Sequence, residues 1–146
     1  MPRVTLNEQS RYEFQYETTI KTTELNYANH LGNDALVGML QDARVQLFKT
    51  LGFRELDLGD GKTGIIIGDL VVNFKSEGFL FDNIKIECHI DEISTKSFRI
   101  FYRIRKVPEN NLIALAETGL VAFDYTQRQV SELPLEFVKS LKKYNK

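Results

Sequence analysis

Between Asn33 and Leu51 the apolar residues recur every three or four positions, whereas on either side they alternate with polar ones. Leu36, Leu40, Ala43, Leu47 and Leu51 fall on one face of a 3.6-residue period, and Val37, Val45 and Phe48 widen that face. Asn33 or Asp34 is placed to cap such a helix, and Gly52 to end it in the left-handed region. About 18 residues at ~1.5 Å each span ~27 Å, long for a chain of 146 residues. A helix apolar over so much of its circumference must be wrapped by something.

The flanking segments supply the wrapper. Residues 12–22 alternate aromatic or β-branched side chains with polar ones and read as a first strand. Downstream, residues 65–67 lead through Gly68 into Leu70, Val72 and Phe74. Ile84, Ile86, Cys88 and Ile90 then alternate with Lys85, Glu87, His89 and Asp91, and His89 on the polar side reads as solvated. Phe98, Ile100, Tyr102 and Ile104 alternate with Arg99, Phe101, Arg103 and Arg105. Past a turn signal at 108–111, a strand runs from Leu112 to about Tyr125, and Leu135, Val138 and Leu141 mark a short terminal helix. Consecutive strands on short turns predict an antiparallel sheet, and one apolar helix against its face predicts an α+β fold. The length suits a single domain over 1–146, without repeat or linker.

Composition narrows the function. A net charge of −1 gives no global attraction to nucleic acid, and the stripe Arg99, Arg103, Arg105, Lys106 reads as the solvated face of a strand. No apolar run approaches the ~20 residues of a membrane span, so no membrane partner is expected. The lone Cys88 forms no internal disulfide and suits a cytoplasmic setting. Two separated histidines and one cysteine make no metal site. Gly61-Lys62-Thr63 ends like a phosphate-binding loop, but the required first glycine falls on Leu56, so 56–63 reads as a flexible connection.

Chemistry concentrates in Glu24-Leu25-Asn26-Tyr27-Ala28-Asn29-His30-Leu31-Gly32-Asn33-Asp34, where a strand hands over to a helix N-terminus. Free N–H groups at such a terminus stabilise developing negative charge. This run, with Asp42-Ala43-Arg44 in the helix, resembles the motif of the 4-hydroxybenzoyl-CoA thioesterase-like family. There a first strand leads into Asp-x-Asp-x-x-Gly-His-Val-Asn-Asn-Ala, followed by a helix carrying Glu-Ala-Arg. His30, Asn33 and Arg44 match, and Glu24 and Asp42 are conservative replacements. The resemblance implies the hot-dog fold: a curved antiparallel sheet of about five strands around one long central helix, with a short C-terminal helix.

It also implies an acyl-CoA thioesterase that hydrolyses an acyl thioester, from coenzyme A or an acyl carrier protein, to free acid and thiol. No cofactor is expected beyond the coenzyme A of the substrate. The family generally works as a homodimer or homotetramer with its pocket between protomers. Two departures matter. The family's second Asp, its usual nucleophile or base, falls on Asn26, and its Gly falls on Asn29. An amide neither takes a proton from water nor attacks as a carboxylate would. The expected catalytic set is therefore Asn26, His30 and Asp34, with Asp34 or His30 as base and Asn26 positioning the water. Asn29, Gly32 and Asn33 are the expected substrate-binding positions, with N–H groups near 32–35 polarising the carbonyl. Each has a plainer role available: Asp34 as a first-turn acid, His30 as a loop-fixing hydrogen-bonder, Asn26 and Asn29 as turn residues, and Arg44 paired with an acid near the helix. Two alternatives stand beside hydrolysis. One is an acyl-CoA-binding module that lost its base. The other is a hot-dog enoyl-CoA hydratase, whose Asp-x-Asn-x-x-His pattern is one residue shorter than Glu24-x-Asn26-x-x-x-His30.

Overall fold

The computed structural model describes residues 3–144. Strand β1 (Phe14–Thr19) is followed by a 3-10 turn at Thr22–Glu24 and helix α1 (Asn33–Leu51). Four strands follow: β2 (Thr63–Phe74), β3 (Asn83–Asp91), β4 (Ser97–Val107) and β5 (Asn111–Asp124). A two-residue β6 (Gln129–Val130) and helix α2 (Leu135–Tyr144) complete the chain. One antiparallel sheet runs in the order β1-β3-β4-β5-β2, with β6 against β5. β1 is shorter than the predicted 12–22, because the chain turns into the 3-10 segment after Ile20 donates to Asp82 O.

The alternating apolar sets all share one face. Ile84, Ile86, Cys88 and Ile90 of β3 oppose Lys106, Ile104, Tyr102 and Ile100 of β4, and the apolar members are buried against Leu36, Leu40, Ala43, Leu47 and Phe48 of α1. A register shift between Ile67 and Asp69 returns β2 to phase, so Ile65, Ile67, Leu70 and Val72 all lie opposite inner-face residues of β5. Helix α1 is 19 residues long and ends at Gly52 (φ 87°), as its spacing predicts. Its N-cap is Gly32 rather than Asn33 or Asp34, both of which lie inside the helix. Val37 and Val45 are exposed, so the wrapping leaves part of α1 open, and Ile67, Leu70 and Phe74 of the edge strand β2 are exposed too. Helix α2 closes the far end, with Phe137 at 5.8 Å from Phe48 and 5.2 Å from Phe53, ring centre to ring centre.

The outer face departs from expectation. His89, read as solvated, is 8% exposed, and Glu87 on the same face of β3 is 6% exposed. The segment before β1 lies across them: Glu13 meets His89 Nδ1 at 2.6 Å, Glu8 meets Arg103 at 2.9 Å, and Arg103 lies over the Tyr12 ring. Farther over, the Asn73 side chain of β2 bonds the backbone of Leu6 and Val4. Nor is the arginine stripe a set of free cations. Arg99 pairs with Asp69 and Glu117, Arg103 and Arg105 share Glu87, and Lys106 pairs with Asp82. The connection at 56–63 is held by carboxylates: Asp57 accepts from the Gly59 and Gly61 amides, and Asp60 from those of Lys62 and Thr63.

Candidate functional site

The loop between the 3-10 turn and α1 is organised by Asn26. Its backbone N–H donates to His30 O at 2.9 Å and its carbonyl accepts from Asn29 N, closing a tight turn with Asn29 in the left-handed region (φ 66°). The Asn26 side-chain oxygen accepts from the amides of Ala28 (2.9 Å) and His30 (3.4 Å). Asn is among the few residues that both tolerate φ > 0 and form such a side-chain turn, which accounts for Asn at 26 and at 29. Glu24 turns back to accept from the Lys21 amide, so it stabilises the 3-10 turn. Gly32 N–H donates to Glu24 O and Leu31 N–H to Gly78 O, which ties the loop to the connection between β2 and β3.

That tie creates a cavity of about 570 Å³, lined by Asn26, Tyr27, His30, Leu31 and Asn33 on one side and Phe74, Lys75, Ser76 and Glu77 on the other. Inside it, the Asn26 side-chain nitrogen lies 3.5 Å from His30 Nδ1, and His30 Nε2 lies 3.9 Å from Glu77 Oε1. A larger cavity of about 750 Å³ on the other side of β2 is lined by Arg3, Val4, Thr5 and residues 70–75, without an imidazole or carboxylate. Of the two, the smaller one holds the expected site residues Asn26, His30 and Asn33.

The expected site residues divide accordingly. Asn26, His30 and Asn33 come together in the cavity. Asn29 is exposed at the turn and is not among the lining residues. Gly32 is buried at the helix cap. Asp34 is exposed and does not line the cavity; its Oδ1 lies 2.6 Å from where a Cβ at Gly32 would sit. The Asp34 amide is taken by Asn33 Oδ1 and the Gly32 amide by Glu24 O, which leaves the Asn33 and Ala35 N–H groups as the first-turn donors without a helical partner. Arg44 is 6% exposed beneath α1, where it binds Glu55 at 3.1 Å and Tyr102 Oη at 3.4 Å, with Tyr102 in turn 2.8 Å from Thr118 Oγ1. Burial pushes the Tyr102 hydroxyl and the Cys88 thiol above their usual ranges, so both stay neutral. Sequence reasoning passed over Glu77, whose only local signal is an acid in the polar break between Phe74 and Gly78.

The model of the thioesterase-like superfamily matches residues 20–141, which takes in the loop, helix α1 and strands β2 to β5. The chain belongs to the thioesterase-like superfamily. Among solved structures, a 1,4-dihydroxy-2-naphthoyl-CoA thioesterase from Synechocystis superposes at TM-score 0.80 and 17% identity, covering 88% of this chain and 95% of its own. The gentisyl-coenzyme A thioesterase BH1999 gives 0.77 and 21%, covering 88% and 99%. The Staphylococcus aureus protein SAV2348, solved in complex with CoA, gives 0.84 and 14%, covering 97% and 88%. These likenesses establish the hot-dog fold for the superfamily member described above. No curated protein sequence matches the chain significantly.

Proposed function

We propose that this chain is an acyl-CoA thioester hydrolase acting in the cytoplasm, with the loop–β2 cavity as its active site. The observation that carries the reading is His30, placed between Asn26 and Glu77 in a cavity beside the start of α1. Hydrolysis needs a base for the attacking water and donors for the carbonyl oxygen that becomes negative. The Asn33 and Ala35 amides supply those donors, reinforced by the helix dipole. Phe74 and Leu31 offer apolar surface to an acyl or pantetheine chain. Structural neighbours that are a naphthoyl-CoA and a gentisyl-CoA thioesterase support coenzyme A as a carrier, and one that is a 12:0-ACP thioesterase supports an acyl carrier protein equally.

The exposed apolar residues Val37 and Val45 of α1 and Ile67, Leu70 and Phe74 of β2 support a homodimer or homotetramer that covers them. The test is thiol release from short, medium, long and aromatic acyl-CoAs by wild type and His30→Ala. Turnover that collapses in the variant supports hydrolysis. The second reading, a module that binds acyl-CoA without cutting it, draws on Asn26, whose oxygen is already bonded to two amides. Saturable acyl-CoA binding with no thiol release would decide for it.

A further inference from the structure

We infer that Glu77 is the general base of this site, standing in from the β2–β3 connection for the carboxylate that position 26 lacks. The inference rests on the hydrolase reading above. It starts from the Asn26 amide. Its oxygen accepts from two backbone N–H groups, which only an oxygen can do, so the NH₂ group is the end that faces His30 Nδ1 at 3.5 Å. An NH₂ group only donates there, so Nδ1 must be the acceptor and the ring proton of neutral His30 sits on Nε2. Nε2 lies 3.9 Å from Glu77 Oε1. The lone pair that would make His30 a base is thus turned toward Asn26. The amide donates to the imidazole, the imidazole N–H is left on the side of the carboxylate, and the carboxylate is the group left able to take a proton.

Glu77 is also suitably placed and unencumbered. Its side chain is 61% exposed and lines the cavity, so it meets both solvent water and the site. Catalytic contacts commonly tighten only when substrate is bound. The other titratable groups lining the cavity are Tyr27, His30 and Lys75. In the step, the water oxygen bonds to the thioester carbonyl carbon while its proton passes to the Glu77 carboxylate. The tetrahedral intermediate then collapses, the C–S bond breaks, and protonated Glu77 returns that proton to the departing thiolate. The products are a carboxylic acid and a thiol, with Glu77 restored. His30 is a positioning residue here, and Asn26 positions His30.

The test is steady-state thiol release by the full-length protein from the acyl-CoA panel, comparing wild type, Glu77→Gln, Glu77→Asp, His30→Ala and the Glu77→Gln/His30→Ala double variant. In Glu77→Gln, kcat should fall about 10²- to 10⁴-fold with KM within about threefold, the usual share of a general base. The acid limb of the kcat–pH profile should flatten, and the thermal midpoint should not move. Glu77→Asp should recover part of the rate, and the double variant should lose no more than Glu77→Gln alone. A Glu77→Gln variant with kcat within threefold of wild type overturns the assignment, and loss of kcat in Asp34→Asn beside it would move the base to Asp34. Absence of turnover by the wild type on every acyl-CoA overturns the hydrolase reading itself, and the base with it.

Discussion

Replacing Glu87 by Gln tests whether the outer face of the sheet is a structural layer or a solvated surface. Glu87 is 6% exposed and accepts from Arg103 through one oxygen and Arg105 through the other. Removing one partner of a fully buried pair costs about 3–5 kcal/mol, because a buried charge is left uncompensated. Here the orphaned guanidiniums are each about one-fifth exposed, Arg103 keeps Glu8, and Arg105 Nε already lacks a partner. Partial solvation therefore reduces the expected loss to about 2–4 kcal/mol. At ~3 °C per kcal/mol for a chain of this size, the thermal midpoint should drop roughly 6–12 °C. The comparison is Glu136→Gln, which breaks the exposed pair with Lys139 and should change stability by less than about 0.5 kcal/mol. The assay is urea and thermal unfolding of both variants beside wild type. A Glu87→Gln effect no larger than that of Glu136→Gln would refute the reasoning.

The same residue sets a pH dependence. Burial alone would raise the Glu87 carboxyl, but hydrogen bonding and charge from Arg103, then Arg105, outweigh it and hold it below the usual glutamate value. A folded-state pKa below the unfolded one gives stability that is complete above the unfolded value, ~4.3, and drains as pH falls through the lower folded value. Wild type should therefore lose more stability than Glu87→Gln on acidification from pH ~5 to ~2, as measured by urea titrations across that range.

Three further outcomes follow from packing. Gly64→Ala should destabilise by about 1–3 kcal/mol or more, because the added Cβ would lie 2.5 Å from Glu55 O and 2.9 Å from Leu56 Cα, both backbone; denaturant unfolding reads it. Phe137→Ala removes the ring that joins α2 to Phe48, Phe53 and Phe98 and should cost about 3–5 kcal/mol, with faster amide exchange confined first to residues 135–144. Tyr102→Phe leaves Thr118 and Arg44 each short of a buried partner and should cost about 1–3 kcal/mol by the same unfolding assay.

The element order was legible because it is written in local periods. Apolar alternation in β3 and β4, and the three-and-four spacing of α1, are satisfied within each element and need no knowledge of the others. The cover on the outer face was not legible. Whether His89 is solvated depends on Glu13, and whether Arg103 is free depends on Glu8, and neither pairing leaves a periodic trace. The helix cap was misplaced by a residue or two because Asn33 and Asp34 are good capping residues, whereas Gly32 caps through its backbone alone. At the site, the loop was readable from its Asn and His content. Glu77 was not, since its approach to His30 is made by the bond from Leu31 N to Gly78 O, between segments far apart in the chain.

Asn26 shows that one position can carry architecture and charge as separate properties. The turn uses the side-chain oxygen of residue 26 as an acceptor for the Ala28 and His30 amides, and an aspartate offers the same oxygen in the same place. Asp and Asn therefore meet the turn's demand equally, and what differs between them is the group offered to His30 Nδ1: an amide donor in one case, a carboxylate acceptor in the other.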